Sequence, residues 1–311
     1  MSASLPPCAL CGQSAFELRF PGNIGDDIGS RFSQYAYYDD IYRCRVCGLV
    51  VQHRRHDPAT IAGLLKAEKY LDEAIGELNL REKHVQFETL LGLVETFRPL
   101  EGQRVLDVGA NTGLFLSMAR RKAASVRGVE PSREAAENAR RTFGLDVQDC
   151  LIAEADLPDA AFDMVTLFDV VEHLTDPAGD LAFLARKVAP GGLLFLSTHD
   201  IGTWLARLSG PGYPMLMYQH FFHFTPHTLG LMVEKAGFKV LGHRRFLKSW
   251  SVEYIYNLIE KKWPGSRRSR LLRAVLAPLV SIDSIRRARI TSPQRDFFIL
   301  AAERLPGAAE R

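Results

Sequence analysis

The 311-residue chain reads as an α/β protein, a mostly parallel sheet with helices on both faces, preceded by a small metal-binding unit. Three observations carry that reading. From residue 103 onward, short aliphatic runs alternate with helix-length amphipathic segments, the pattern of successive β–α–β units. The first of these runs ends in a glycine-rich turn, Asp107-Val108-Gly109-Ala110-Asn111-Thr112-Gly113. Four of the five cysteines form two matched knuckles, Cys8-Ala9-Leu10-Cys11-Gly12 and Cys44-Arg45-Val46-Cys47-Gly48.

The elements follow in order. Arg104–Val108 is a buried strand and Leu114–Lys122 a helix. Ser125–Glu130 is a second strand, followed by a helix over Ser132–Phe143, with Ser132 as its N-cap and Gly144 as its stop. Leu145–Val147 is a short third strand and Phe162–Phe168 a fourth. Pro177–Val188 is a helix closed by the Pro190-Gly191-Gly192 turn, and Leu193–Thr198 is a fifth strand. A helix over Thr225–Ala236 opens on a capping threonine with proline at its first helical position. Phe238–Arg245 and Phe297–Glu303 complete the strands. Upstream, Ile61, Leu64, Leu65, Val85, Leu90, Leu91 and Val94 mark a helical stretch over 59–97, which Pro99 and Gly102 end.

Composition narrows the class. The net charge of +3 points neither toward nor away from a polyanionic partner. Its distribution is uneven, with 13 Lys/Arg against 4 Asp/Glu in residues 243–296. The N-terminus lacks the basic and apolar regions of a signal peptide. The longest apolar stretch, Leu271–Ile282, contains Arg273 and falls short of a membrane span. These features predict a cytoplasmic protein, and in a reducing compartment close cysteine pairs favour a metal over disulfides. Cys8, Cys11, Cys44 and Cys47 supply four thiolates for a tetrahedral zinc ion, a structural one because no coordination position stays open. The 32 residues between the pairs must form an extended loop from the site. The aromatic cluster Phe32, Tyr35, Tyr37, Tyr38 and Tyr42 reads as the local core of this unit or as a stacking surface for bases; the absence of a concentrated basic stripe argues against nucleic acid.

The glycine turn lies between a strand and a helix, where the backbone can approach a ligand closely. Glu130 follows Gly113 by 17 residues, at the end of the next strand, where a carboxylate accepts hydrogen bonds from the ribose of an adenosine cofactor. A dinucleotide fingerprint would need glycine at Asn111 and Leu114, and no Gly-Lys-Ser/Thr follows as in a nucleotidase phosphate loop.

Asp107-x-Gly109-x-Asn111-x-Gly113 resembles motif I of the class I methyltransferases. Val129-Glu130-Pro131-Ser132 resembles their ribose-binding motif. Ala161–Leu174, Ala189-Pro190-Gly191-Gly192, Gln219–Thr225 and Glu234-Lys235-Ala236-Gly237-Phe238 are similar to the subfamily of ubiquinone-type and sugar-modifying enzymes. Asn111 stands where that family often has glycine. The resemblance implies a Rossmann-like, seven-stranded, mostly parallel sheet with the last strand antiparallel. It implies S-adenosylmethionine as cofactor, held by Asp107, Gly109, Asn111, Gly113 and Glu130, with Leu151 beside the adenine, Phe168 and Asp169 after strand four, and Tyr70 in a lid. Cys150 is then a packing residue. The division that follows is a zinc ribbon over 1–58, a helical lid or linker over 59–100, and a class I methyltransferase domain over 101–311 with a basic amphipathic insertion at about 247–292.

Transfer from a sulfonium is an in-line displacement, and an oxygen or carbon nucleophile must also lose a proton, for which histidine is suited. His173, His199, His220 and His223 all fall at carboxyl ends of strands or in the loops beyond. His220, His223 and His173 are the candidate bases, and Asp200 the candidate to orient one. The expected acceptor is a small molecule, a sugar or a lipid-linked glycan. The insertion, with Trp250, Tyr254, Tyr256, Leu258, Trp263 and seven arginines from Arg267 to Arg289, caps the acceptor end with a solvated basic face, or contacts an anionic membrane or anionic substrate. Rival readings are an RNA methyltransferase that uses the ribbon to hold RNA and a non-catalytic cofactor-binding scaffold.

Overall fold

The computed structural model describes residues 5–25, 37–53, 60, 61, 63, 66, 77–262, 266–291 and 295–306. Tyr70, Phe32, Tyr35, Leu64, Leu65 and Trp263 lie outside the described residues.

The N-terminal unit holds strands β1 (Phe16–Phe20), β2 (Ile41–Cys44) and β3 (Val50–Gln52). Helix α1 (Glu77–Glu95) leads to β4 (Arg104–Val108), α2 (Leu114–Ala119), β5 (Ser125–Val129), α3 (Arg133–Phe143) and β6 (Val147–Gln148). Then come β7 (Phe162–Phe168), α4 (Pro177–Lys187), β8 (Val188–His199) and α5 (Trp204–Ser209). The chain continues with β9 (Phe222–His223), α6 (Pro226–Lys235) and β10 (Phe238–Phe246). Its last part is β11 (Ser249–Ser251), α7 (Val252–Lys262), α8 (Arg267–Val280), α9 (Asp283–Arg287), β12 (Arg289–Thr291) and β13 (Phe297–Arg304).

The main sheet has seven strands in the order β10-β13-β8-β7-β4-β5-β6. β13 runs antiparallel to both β10 and β8, and the pairs among β4 to β8 are parallel. Alternation along each strand splits the apolar residues into two layers. Leu106, Val165, Leu194, Leu196 and Leu300 face α4, α6 and the N-terminal unit. Val105, Met164, Leu193, Phe195 and Ile299 face α1, α2 and α3. Emptying one such position, as in Phe195→Ala, costs about 3–5 kcal/mol.

Local signals set the helix ends. Ser132 Oγ accepts from the Ala135 amide, and Gly144 stops α3 with φ +61°. Thr225 and Thr228 exchange side chain and amide at the start of α6, with Pro226 at the first helical position. Such a cap stabilises a helix by about 1 kcal/mol. One local expectation changes: Pro190-Gly191-Gly192 lies inside β8 and does not end a helix. Gly191, at φ +73°, lets β8 bulge between the Phe162↔Val188 and Met164↔Leu193 pairs.

The N-terminal unit is continuous with the rest of the molecule. Its sheet has the order β1-β2-β3-β9, and β9 belongs to the aromatic run 219–225. Val50 and Val51 pair with His223 and Phe222, and the Gln52 amide donates to the Phe221 carbonyl. The Gln52 side chain, 3 % exposed, accepts from the Asp39 amide and donates at 2.6 Å to the Tyr218 carbonyl. Tyr38 Oη donates to the Pro211 carbonyl at 3.0 Å, and Lys235 Nζ donates to the Leu10 carbonyl. Leaving these backbone groups unpaired in a buried seam costs about 1–3 kcal/mol each. Gln52→Ala is therefore expected to lower stability by roughly 2–4 kcal/mol; an unchanged denaturant midpoint would show that the seam carries no weight.

Candidate active site

Among the described residues, the glycine turn, Glu130, Phe168, Asp169 and the histidines lie at the carboxyl edge of the sheet, around the point between β4 and β7 where the strand order reverses. In open α/β sheets that crevice is where ligands bind. The turn after β4 takes three left-handed residues, Gly109 at φ +74°, Asn111 at +48° and Gly113 at +82°. Two of these positions have no room for a side chain. A Cβ on Gly109 would lie 2.4 Å from Val170 Cγ2, and one on Gly113 would lie 2.6 Å from Leu145 Cδ1.

Two buried carboxylates bracket the turn. Glu130 accepts the Asn111 amide on Oε2 and the Ser132 amide on Oε1, each at 2.8 Å. Its two oxygens thus tie the glycine turn to the start of α3. Burial pushes the Asp107 carboxyl up, the 2.6 Å hydrogen bond from Thr166 Oγ1 pulls it down, and the Glu130 charge raises it again, to about 7. Two buried acids side by side suit a ligand that brings positive charge and hydroxyl donors.

Asp169, at the end of β7, has φ +56° and accepts from Ser197 Oγ at 3.1 Å and from Lys248 Nζ at 2.6 Å. Burial works to raise its pKa, but the ammonium groups of Lys248 and Lys83 hold the carboxyl below its ordinary range. Phe168 packs edge-on against Phe115, ring centroids 4.9 Å apart. Leu151 lies beyond β6, but its amide is already used: it donates to Glu154 Oε2 at 2.9 Å. The Cys150 thiol is pushed up by burial and by Glu154 and Asp149, the opposite of what a nucleophile needs.

The four histidines come together beyond β7 and β8. His199 Nε2 and His223 Nδ1 are 3.0 Å apart, and the His199 ring stacks on His220 with centroids 5.0 Å apart. His173 meets His220 edge-on at 4.7 Å. His220 Nδ1 lies 2.8 Å from the Met215 carbonyl and His173 Nδ1 3.0 Å from the Gln219 carbonyl, so each Nδ1 donates to a carbonyl. Burial, then the neighbouring imidazoles, pushes His220 and His223 well below the ordinary histidine range.

Asp200 does not orient any of these rings. Its carboxylate accepts the Gly202 amide at 2.8 Å and pairs with Arg245, which fixes the loop after β8. The acid among the histidines is Glu172, 2 % exposed, with Oε1 3.8 Å from His199 Nδ1 and Oε2 without a hydrogen-bond partner among the described residues. Glu172, His173 and His220 offer donor atoms within 4.8 Å of one another, a spacing that a divalent cation could bridge. Glu172 and Lys248 both escape sequence reading. Glu172 stands next to His173, where only the fold reveals its direction, and Lys248 comes from the basic segment after β10.

A second cluster is Cys8, Cys11, Cys44 and Cys47, whose sulfurs lie within 4.8 Å of one another. Cys8–Cys47 and Cys11–Cys44 are 3.5 Å apart, too far for disulfides and close to the edge of about 3.8 Å that a tetrahedral zinc with 2.3 Å bonds requires. The Cys11 and Leu10 amides point at Cys8 sulfur, and the Cys47 and Val46 amides at Cys44 sulfur. Burial raises the Cys44 thiol, but these amides and the neighbouring thiols outweigh it and bring it to about 7. The donor set thus fits a zinc ion.

A family profile described as a methyltransferase domain matches residues 81–243, more than half of the chain. The chain belongs to this methyltransferase family. Curated relatives of the methyltransferase domain include proteins named ubiquinone biosynthesis O-methyltransferase. The one from Neisseria meningitidis serogroup C is 36% identical over 132 residues, 38% of this chain and 56% of the relative. The one from Paracidovorax citrulli is 33% identical over 159 residues, 46% of this chain and 62% of the relative. The match thus spans about three-fifths of these relatives' length. Among solved structures, a possible histamine N-methyltransferase from Thermotoga maritima aligns with 72% of this chain and 98% of its own, at 20% identity and TM-score 0.46. Magnesium protoporphyrin IX methyltransferase from Synechocystis, solved with SAH, aligns with 76% of this chain and 90% of its own, at 14% identity and TM-score 0.46.

Two outcomes follow. Zinc analysis of the purified chain is expected to give one ion per molecule, lost in Cys44→Ala; metal-free protein that keeps its melting temperature would contradict a structural site. Asp107 has its carboxyl raised by folding, so the folded state takes up a proton. The associated stability is present below the unfolded pKa of about 4 and is lost as the pH rises through about 7. A denaturation series is expected to show this decline in the natural protein and not in Asp107→Asn.

Proposed function

We propose that the chain moves a methyl group from S-adenosylmethionine to a small-molecule, sugar or lipid-linked glycan acceptor. The observation that carries this reading is the pairing of two buried acids, Asp107 and Glu130, around the Gly109–Gly113 turn with a histidine cluster across the switch point. S-adenosylmethionine, when bound, supplies an electrophilic methyl on a sulfonium. Glu130 presents a buried carboxylate to the ribose hydroxyls, and the Gly109–Gly113 backbone allows close approach. Asp107 and Asp169 favour a cationic ligand at this edge.

On the acceptor side, His220 is the proposed base. It is neutral at ordinary pH, its Nδ1–H is fixed by the Met215 carbonyl, and Nε2 is left to take a proton. Glu172 supplies the buried negative charge that offsets an imidazolium in the cluster. His173, half-buried, and His223, which bonds His199, complete the wall of the pocket. Relatives named for O-methylation support an oxygen nucleophile. The four cysteines are proposed to hold a structural zinc, and its role here is to fix β3, on which β9 and hence His223 are aligned.

The test is calorimetric titration with S-adenosylmethionine, with NAD as control, followed by a methyl-transfer assay over phenolic, sugar and lipid-linked acceptors. Glu130→Ala is expected to weaken cofactor binding at least about tenfold, since it removes two charged hydrogen-bond acceptors. His220→Ala is expected to lower kcat by about 10²–10⁴ while cofactor affinity holds. Binding of NAD, or of neither ligand, would overturn the reading.

A further inference from the structure

Helix α8 leaves a stripe of aliphatic side chains facing outward. Leu271, Val275, Leu279 and Leu272 are 67%, 64%, 46% and 43% exposed. At 100° per residue they occupy an arc of about 100° and a length of about 12 Å along the axis. The opposite side faces the molecule with Ser269, which is buried, with Leu276 and Val280, which are half-buried, and with Arg273, whose guanidinium lies 4.5 Å from the Tyr256 ring centroid on α7. A helix that serves only the core leaves no such outward stripe. Ile282, 48% exposed, extends the stripe toward α9.

One flank of the stripe is basic. Arg267 and Arg270 project on the arc beside Leu271 and have no ion-pair partner among the described residues. Arg286 and Arg287 follow on α9, where Asp283 serves both. Aliphatic side chains rimmed by arginines match an anionic lipid surface, where apolar groups enter the acyl boundary and guanidinium groups meet phosphate. No described helix is long and apolar enough to cross a membrane, so the contact lies in the plane of the surface. A second copy fits the same face less well, because a twofold contact would gather both sets of arginines into one rim.

The module is rooted at the candidate active site. Arg289 pairs with Glu82 of α1 at 2.8 Å, the Ser251 amide points at the same carboxylate, and Lys248 holds Asp169. We propose that the α8–α9 face docks this protein on anionic membranes. Resting on the methyl-transfer reading, the docking favours an acceptor carried by a lipid.

The experiment is co-sedimentation of the full chain with vesicles of phosphatidylcholine alone and of phosphatidylcholine mixed equally with phosphatidylglycerol. The natural chain is expected to bind the anionic vesicles at least about tenfold more tightly than the neutral ones, with partial weakening by salt. The Leu271→Glu/Val275→Glu and Arg267→Glu/Arg270→Glu variants are each expected to lose about tenfold or more of that binding. All four positions already face solvent, so circular dichroism and cofactor affinity should stay as in the natural chain. Absence of binding to anionic vesicles, or binding that ignores both variants, overturns the proposal. So does a natural dimer that Leu271→Glu/Val275→Glu dissociates without changing vesicle binding, which assigns the face to a second copy. Failure of the methyl-transfer reading shows separately, as absent cofactor binding, and leaves the vesicle result standing by itself.

Discussion

The pairing of Val50 with His223 and of Val51 with Phe222 joins the N-terminal unit to the histidine-bearing loop of the α/β part. It is a short ladder, but it is buried, and the Gln52 amide and side chain extend it to the backbone of Tyr218 and Phe221. A two-residue strand has little stability of its own. Its position depends on β3, and β3 depends on the knuckle that holds Cys44 and Cys47. Cys44 ends β2 of the same sheet in which β3 aligns β9 and hence His223.

Strand order shapes the carboxyl edge of the sheet. Placing β4 between β5 and β7 opens a crevice at the carboxyl edge, and the close approach of Gly109 to Val170 brings the two loops together. Acids collect on the β4–β5 side and imidazoles on the β7–β8 side. Burial acts oppositely on the two, raising Asp107 and lowering His220, so both tend toward their neutral forms. A cationic ligand near the acids, or a proton arriving at the imidazoles, restores charge where the site can use it.

Much of this was legible in the sequence because it is local. The strand Phe162–Phe168, the cap at Ser132, the stop at Gly144 and the threonine–proline start of α6 each depend on residues within a turn of one another. The glycine turn was legible for the same reason. What escaped depends on distant partners. Asp200 reads as a companion of a nearby histidine, yet Arg245 on β10 takes it because β13 brings β10 to that edge. Lys248 reaches Asp169 by the same edge. The seam between β3 and β9 leaves no trace in an aromatic run that serves equally as core. The apolar and basic spacing of Arg267–Val280 correctly announces a helix, but aliphatic residues lie all round it, so periodicity does not say which face inward, and here four of them face water.

On the proposed reading, the four-cysteine knuckle positions the histidine loop through β3 and β9. Hydrogen exchange of the Phe221–Phe224 amides, followed before and after treatment with a zinc chelator, reads that coupling. Exchange in this segment is expected to accelerate on metal removal while the amides of β4 and β5 keep their protection. Unchanged protection of Phe221–Phe224 in metal-free protein would contradict it.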